Sequence, residues 1–169
     1  METLYNANGG SKTRLYRAFG WLITFRDFPE GCWQEVDGSK MMTEALTLFT
    51  KGRAEFYQDE THRLPDRVPG ILSSEHVPTG LNSTFKLMYR EPTTRLCVPA
   101  SINDGKLPEV EKVDLAAGEA QTFPAGTRLL VCLGSVNVKD RTFAEEKSFT
   151  LKDEAAVTAT ERSLLLRFL

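Results

Sequence analysis

From Gly20 to the C-terminus, short apolar runs alternate with Pro and Gly turn signals, the pattern of a chain that assembles many short strands into a sandwich or barrel. The strands predicted on this basis are Trp21–Phe25, Trp33–Val36, Ala45–Phe49, Ala54–Tyr57, Thr84–Tyr89, Arg95–Val98, Val110–Leu115, Arg128–Leu133, Ser135–Val138, Ser148–Leu151, Ala155–Ala159 and Ser163–Phe168. Period two is visible inside them: Phe85, Leu87 and Tyr89 alternate with Lys86, Met88 and Arg90, and Phe149 and Leu151 with Ser148 and Thr150. Strands of this kind have one wet face and one dry face. Turns are predicted at Pro29–Gly31, Pro65–Gly70, Pro78–Gly80, Pro99–Pro108 and Pro124–Gly126, where proline fixes φ or glycine supplies a positive one.

Two segments also fit helical spacing. Met42, Ala45, Leu46 and Phe49, followed by Gly52 as a stop, allow a helix over 39–51, and Val110, Val113 and Ala117 raise the same alternative. Strand is the expectation for both because their neighbours are strand-like. The stretch Ala100–Pro108 reads as a linker, so the chain is divided into a polar N-terminal arm at 1–19, a β-module at 20–99, the linker at 100–108 and a second β-module at 109–169. Each half carries a strand, a Pro-x-Gly turn and a long apolar strand, which suggests two fused β-modules.

Composition excludes several classes. With 41% hydrophobic and 26% charged residues in 169, neither disorder nor a membrane protein is indicated, and no apolar run approaches the roughly 20 residues of a spanning helix. The start of the chain lacks the apolar core of a secretory signal, so a cytoplasmic location is expected, or a virion if the source is viral. Three cysteines, Cys32, Cys97 and Cys132, form no CxxC pair and read as small buried hydrophobes. A net charge of −2 leaves no footprint for nucleic acid, and the basic cluster Lys12, Arg14, Arg17 and Arg26 reads as a solvated face.

Two phrases carry a family resemblance. Leu46-Thr47-Leu48-Phe49-Thr50-Lys51-Gly52-Arg53-Ala54-Glu55-Phe56 resembles the strand, glycine and short strand that close the first cupin motif. Val77-Pro78-Thr79-Gly80-Leu81-Asn82-Ser83 resembles the Pro-x-Gly turn of the second. Phe123-Pro124-Ala125-Gly126 before Leu129–Leu133 is similar in texture. The resemblance, spanning Trp33 to Phe168, implies an all-β, cupin-like jelly-roll or β-sandwich. It also shows a departure. Metal-binding cupins need His-x-His and a glutamate upstream of the glycine. Anchored on Gly52, the glutamate slot holds Ala45 and the histidine slots fall among Gly38, Ser39, Lys40 and Met41; anchored on Gly38, only Glu44 remains. In the second motif the histidine position is Ser83. His62 and His76 are the chain's two histidines, too few for a three-histidine site, so no metal and no cofactor are expected.

Catalysis without metal has only weak candidates. His76 beside Glu75, or His62 near Asp59 and Asp66, with Tyr57 or Tyr89 as acid, would suit an isomerase or epimerase. Both histidines read more simply as loop residues, so the enzyme question leans to no. No nucleophile elbow, phosphate loop or dinucleotide fingerprint occurs. For binding, the candidates to line a jelly-roll bowl are Trp33, Phe49, Phe56, Ser83, Phe85, Tyr89 and Arg95, and Arg90 with Arg95 flanks Pro92 as an anion-binding pair. The leading functional expectation is a non-catalytic structural or assembly protein, as in virion components, with protein partners in a homo-oligomer or larger assembly reached through the polar arm. The alternatives are a small-molecule-binding cupin and a metal-independent sugar isomerase or epimerase. Neither nucleic acid nor a membrane is an expected partner.

Overall fold

Alternation along each strand sets the architecture of the protein, here a computed structural model describing residues 5–8, 12–37, 45–52, 54–57 and 84–169. Sixteen strands run through the described residues, antiparallel throughout their recorded pairings. The chain divides into unit 1, residues 1–17 and 21–107, and unit 2, residues 18–20 and 108–169.

Unit 1 contains β1 (Tyr5–Asn8), β2 (Lys12–Ala18), β3 (Trp21–Phe28), β4 (Cys32–Asp37), β5 (Ala45–Lys51), β6 (Glu55–Tyr57), β7 (Thr84–Tyr89) and β8 (Thr93–Pro99). They form two four-stranded sheets, β1-β4-β7-β6 and β2-β3-β8-β5. The inward faces supply a core of Phe28, Cys32, Val36, Ala45, Phe49, Ala54, Phe56, Leu87, Tyr89 and Cys97. Unit 2 repeats the plan with β9 (Val110–Leu115), β10 (Ala120–Phe123), β11 (Arg128–Leu133), β12 (Ser135–Val138), β13 (Arg141–Ala144), β14 (Ser148–Thr150), β15 (Ala155–Ala159) and β16 (Ser163–Phe168). Its sheets are β10-β15-β12-β13 and β14-β11-β16-β9, over a core that includes Val113, Phe123, Leu129, Val131, Val157 and Leu165.

The repetition extends to single residues. Strand β5 pairs with β8 with Phe49 opposite Arg95, then a register break, then Lys51 opposite Thr94. In unit 2, β11 pairs with β16 with Val131 opposite Leu165, the same break, then Leu133 opposite Leu164. A glycine follows each bulged strand, Gly52 with φ 72° and Gly134 with φ 83°. A side chain there would strike a backbone carbonyl, that of Pro92 in unit 1 and that of Arg162 in unit 2. One residue beyond each carbonyl, a buried hydroxyl closes the turn: Thr93 donates to the carbonyl of Glu91 at 2.9 Å, and Ser163 to that of Glu161 at 2.8 Å. Arg95 and Leu165 therefore occupy matched positions in the two units.

Four strands lie where the sequence predicted none, β1, β2, β10 and β13, and each is the outermost strand of its sheet. An edge strand packs little of its surface, so its apolar alternation is faint: β2 is mostly exposed, with Leu15 at 61%. Two of these strands lie within the stretch expected as a polar arm, 1–19. Tyr5–Asn8 pairs with Trp33–Val36, Lys12–Ala18 lies beside β3, and the two-residue turn Phe19–Gly20, with positive φ at both positions, joins β2 to β3. The helical alternatives give way to strands over 45–51 and 110–115, because β-pairing buries those residues' inward faces; residues 39–44 lie outside the described residues.

The expected linker is also structured at its start. Ala100–Ile102 forms a short 3-10 turn, and the Asn103 side chain imitates a paired strand. Its amide donates to the carbonyls of Pro99 (2.7 Å) and Leu22 (3.0 Å), while its oxygen accepts from Leu22 N–H (2.8 Å). No helix among the described residues is long and apolar enough to cross a membrane.

Candidate functional site

Inside unit 1, three polar side chains meet where a core would ordinarily be apolar. Gln34 on β4 and Arg95 on β8 are 0% and 1% exposed, and Tyr89 on β7 is fully buried. The Gln34 side-chain oxygen accepts from the Tyr89 hydroxyl at 2.6 Å and from Arg95 Nη1 at 2.7 Å, and Nη1 also lies 3.1 Å from the Tyr89 oxygen. Two donors on that oxygen fix the amide orientation, since a flipped amide would set N–H against N–H. Gln34 Nε2 then has no hydrogen-bond partner among the described residues. Leaving such a donor buried and unmade costs roughly 1–3 kcal/mol.

Aromatic rings surround the cluster. Phe28 stacks on Tyr89 with centroids 4.3 Å apart, and the Arg95 guanidinium lies over Phe28 at 4.7 Å. Phe49 meets both Tyr89 and Phe56 edge-on, each at 6.4 Å. Cys32 shares the core with these rings. Burial pushes its thiol pKa up, outweighing the nearby Arg26 and Arg95 guanidiniums, so it remains a thiol at neutral pH. Burial pushes the thiol of Cys132 in unit 2 well up too, and all three cysteines are buried.

Of the residues singled out from the sequence, the structure brings together Phe49, Phe56, Tyr89 and Arg95. Trp33 is placed elsewhere. It lies next to Gln34 on β4, so the strand's alternation turns it to the other face, where Lys86 Nζ sits 5.3 Å from its ring. Phe85 lies on β7, with its side chain outside the described residues, as are Ser83, His62 and His76 entirely. Arg90 and Arg95 do not act as a pair: Arg90 is 65% exposed and donates to Glu55 at 2.6 Å, which also accepts from Tyr57 at 3.0 Å, whereas Arg95 is interior. Ala45, in the slot where a metal-binding cupin has its glutamate, is packed in the core. Among the described residues no three histidine, cysteine or carboxylate side chains gather as a metal-binding group.

Sequence reasoning missed Gln34. The signal was present: Cys32, Gln34 and Val36 share one face of a strand whose other two members are apolar, so a glutamine there is a polar group in a core position.

No protein-family model matches the sequence, and no curated protein matches it. Solved structures do. The chain is similar to HutD from Pseudomonas fluorescens SBW25, at 12% identity over 97% of each chain with a TM-score of 0.55. It is similar also to a conserved protein of unknown function from Pseudomonas aeruginosa PAO1, at 11% identity over 97% of this chain and 93% of that one with a TM-score of 0.50. A Cupin 2 conserved barrel domain protein from Leptotrichia buccalis matches over 95% of this chain and 89% of its own, at 10% identity and a TM-score of 0.42. Likeness at such identity concerns the fold alone. The chain thus has an all-β sandwich fold like that of HutD, carried in two units of two four-stranded sheets each.

Proposed function

We infer that the protein is a non-catalytic, small-molecule-binding member of this fold, with its site at Gln34, Tyr89 and Arg95 in unit 1. The observation that carries the reading is Gln34 Nε2, a buried donor locked in orientation and lacking an acceptor among the described residues, beside a buried guanidinium. A ligand bearing a carboxylate or another acceptor-rich anionic group supplies what the site lacks, since an arginine fork and an amide N–H both recognise such groups. The rings of Phe28, Phe49 and Phe56 exclude water and strengthen those contacts.

The described members do not form an acid–base pair. Arginine does not deprotonate in the physiological range, the Tyr89 hydroxyl donates to Gln34, and the Cys32 thiol is held protonated. An isomerase or epimerase would therefore draw its base from His62 or His76, outside the described residues. The assembly reading relied on a free N-terminal arm, and Tyr5–Asn8 is instead engaged with β4 of its own chain.

Calorimetric titration of the full chain with acetate, succinate and inorganic phosphate tests the proposal. Saturable binding of one of them, abolished in Arg95→Leu and weakened in Gln34→Ala, is expected. No binding by any, together with a crystal structure placing a lone water on Gln34 Nε2, would assign the cluster to the packed core instead.

A further inference from the structure

Unit 2 holds a second feature, independent of the unit 1 cluster: a cavity of about 390 Å³ beside the turn from β12 to β13 and the passage from β14 to β15. Such a volume is that of a small-molecule pocket. Its floor is apolar. Phe143 and Phe149 stack with centroids 4.1 Å apart, and Leu151 and Val138 continue the surface into the core of the unit. Strands β13 and β14, which carry the two rings, are each the outermost strand of their sheet. No further described strand pairs with either of them on this side.

The rim is charged and unbalanced. Lys139, Arg141 and Lys152 face Asp140 and Asp153, three cations against two carboxylates. Lys139 is matched to Asp153 at 3.7 Å, with both side chains largely exposed. Arg141 holds its guanidinium 5.0 Å from the centroid of Phe143, so a cation stands directly over the aromatic floor. Lys139 opens the two-residue turn that joins β12 to β13 and adopts the positive φ, 54°, that such turns take.

We propose that this cavity binds a small molecule with a flat apolar body and one anionic group. The body lies against Phe143 and Phe149, and the anion is held by Arg141, with Lys152 adding to the field. A neutral apolar ligand would leave the excess rim charge unanswered, and a cation would meet it unfavourably. A polyanion would gain nothing from the aromatic floor.

Naphthoate is the probe, titrated calorimetrically into the full chain, with naphthalenemethanol as its neutral counterpart. One saturable naphthoate site is expected, with the neutral analogue weaker by about tenfold or more. Arg141→Gln should weaken naphthoate by a similar factor and Phe149→Leu should weaken both compounds. Since Arg141 and Lys152 are exposed, their glutamine variants retain the fold, checked by circular dichroism; Lys152→Gln is read where Arg141→Gln is not folded. Absent saturation, equal binding of the two compounds, or naphthoate affinity untouched by both glutamine variants would overturn the proposal. Loss in Arg95→Leu with no loss in the unit 2 variants would place the probe in unit 1 and overturn it equally.

Discussion

Replacing Arg95 by leucine separates a functional buried arginine from a structural one. The parent side chain contributes a bond to Gln34 at 2.7 Å, an approach to Tyr89 at 3.1 Å and a guanidinium 4.7 Å from the Phe28 centroid. A hydrogen bond involving a charged group contributes about 1.5–3 kcal/mol and a desolvated cation–π contact about 2. Against these stands the penalty of holding a guanidinium out of water, several kcal/mol after relaxation. The opposing quantities are of equal size, and unit 2 shows that a fully buried leucine, Leu165, packs at the matched position. Nor does the change strand the glutamine oxygen, which keeps the Tyr89 hydroxyl at 2.6 Å. Arg95→Leu should therefore unfold in urea within about 1 kcal/mol of the parent, a melting shift of roughly 2–4 °C at most. Arg95→Ala, which adds an unfilled cavity, should lose about 2–4 kcal/mol more. Carboxylate binding should vanish in both. If the leucine variant instead loses about 3–5 kcal/mol, the cost of removing one partner of a buried ion pair, Arg95 is a structural cation and the binding proposal fails.

Two further predictions concern the scaffold. Gly134 and Gly126 both have positive φ, 83° and 88°, but a side chain at Gly134 meets the Arg162 carbonyl, whereas at Gly126 nothing lies within 4 Å. Gly126→Ala should cost about 1–2 kcal/mol for the backbone conformation alone and Gly134→Ala about 1–3 more for the clash, so equal losses in urea denaturation would refute the close approach. At Asp27, burial works to raise the carboxyl pKa, but the bonds from Arg14 and Thr94 (2.8 Å) and the charges of Arg14 and Lys51 hold it below the usual carboxylate value. A depressed folded-state pKa gives stability that is present above the unfolded value of about 4 and lost as pH falls through the folded one. Because the carboxylate is 41% exposed, solvent screening limits the effect to at most about 1 kcal/mol. Asp27→Asn should be less stable than the parent at neutral pH and converge with it in acid, and a gap constant across that range would contradict the pairing.

The strands legible in the sequence are those that bury a face. Thr84–Tyr89, Val110–Leu115, Arg128–Leu133, Ser135–Val138, Ala155–Ala159 and Ser163–Phe168 match their predicted bounds, since alternation or a dense apolar run marks a strand with a buried face, the edge strand Val110–Leu115 included. The illegible strands, such as Ala120–Phe123 and Arg141–Ala144, lie at edges, where pairing on one side holds the backbone and the side chains stay wet. The same limit governed the sites. Arg95, Tyr89, Phe49 and Phe56 were visible as aromatic and basic residues in strands, but the partner that orients them, Gln34, is marked only by being polar at a core position. The unit 2 cavity was hidden further, because Arg141, Phe143 and Phe149 belong to two different edge strands whose proximity no local pattern encodes.

The two units put one kind of bulged strand pair to different chemical use. At the position after the bulge, unit 1 commits an arginine and unit 2 a leucine, while the glycine before the short strand and the hydroxyl that closes the facing turn are kept in both. Those kept features set the backbone path: each glycine lies against a carbonyl, and each hydroxyl satisfies a carbonyl of its own turn. The exchanged residue stands two positions beyond that hydroxyl in each unit, and both side chains, one charged and one apolar, are buried there. Polarity inside unit 1 is then a choice the scaffold did not require, since an apolar side chain already serves in unit 2. In unit 2 the compensating polarity stands at the rim, over Phe143, where desolvating a cation costs less and the interior remains dry.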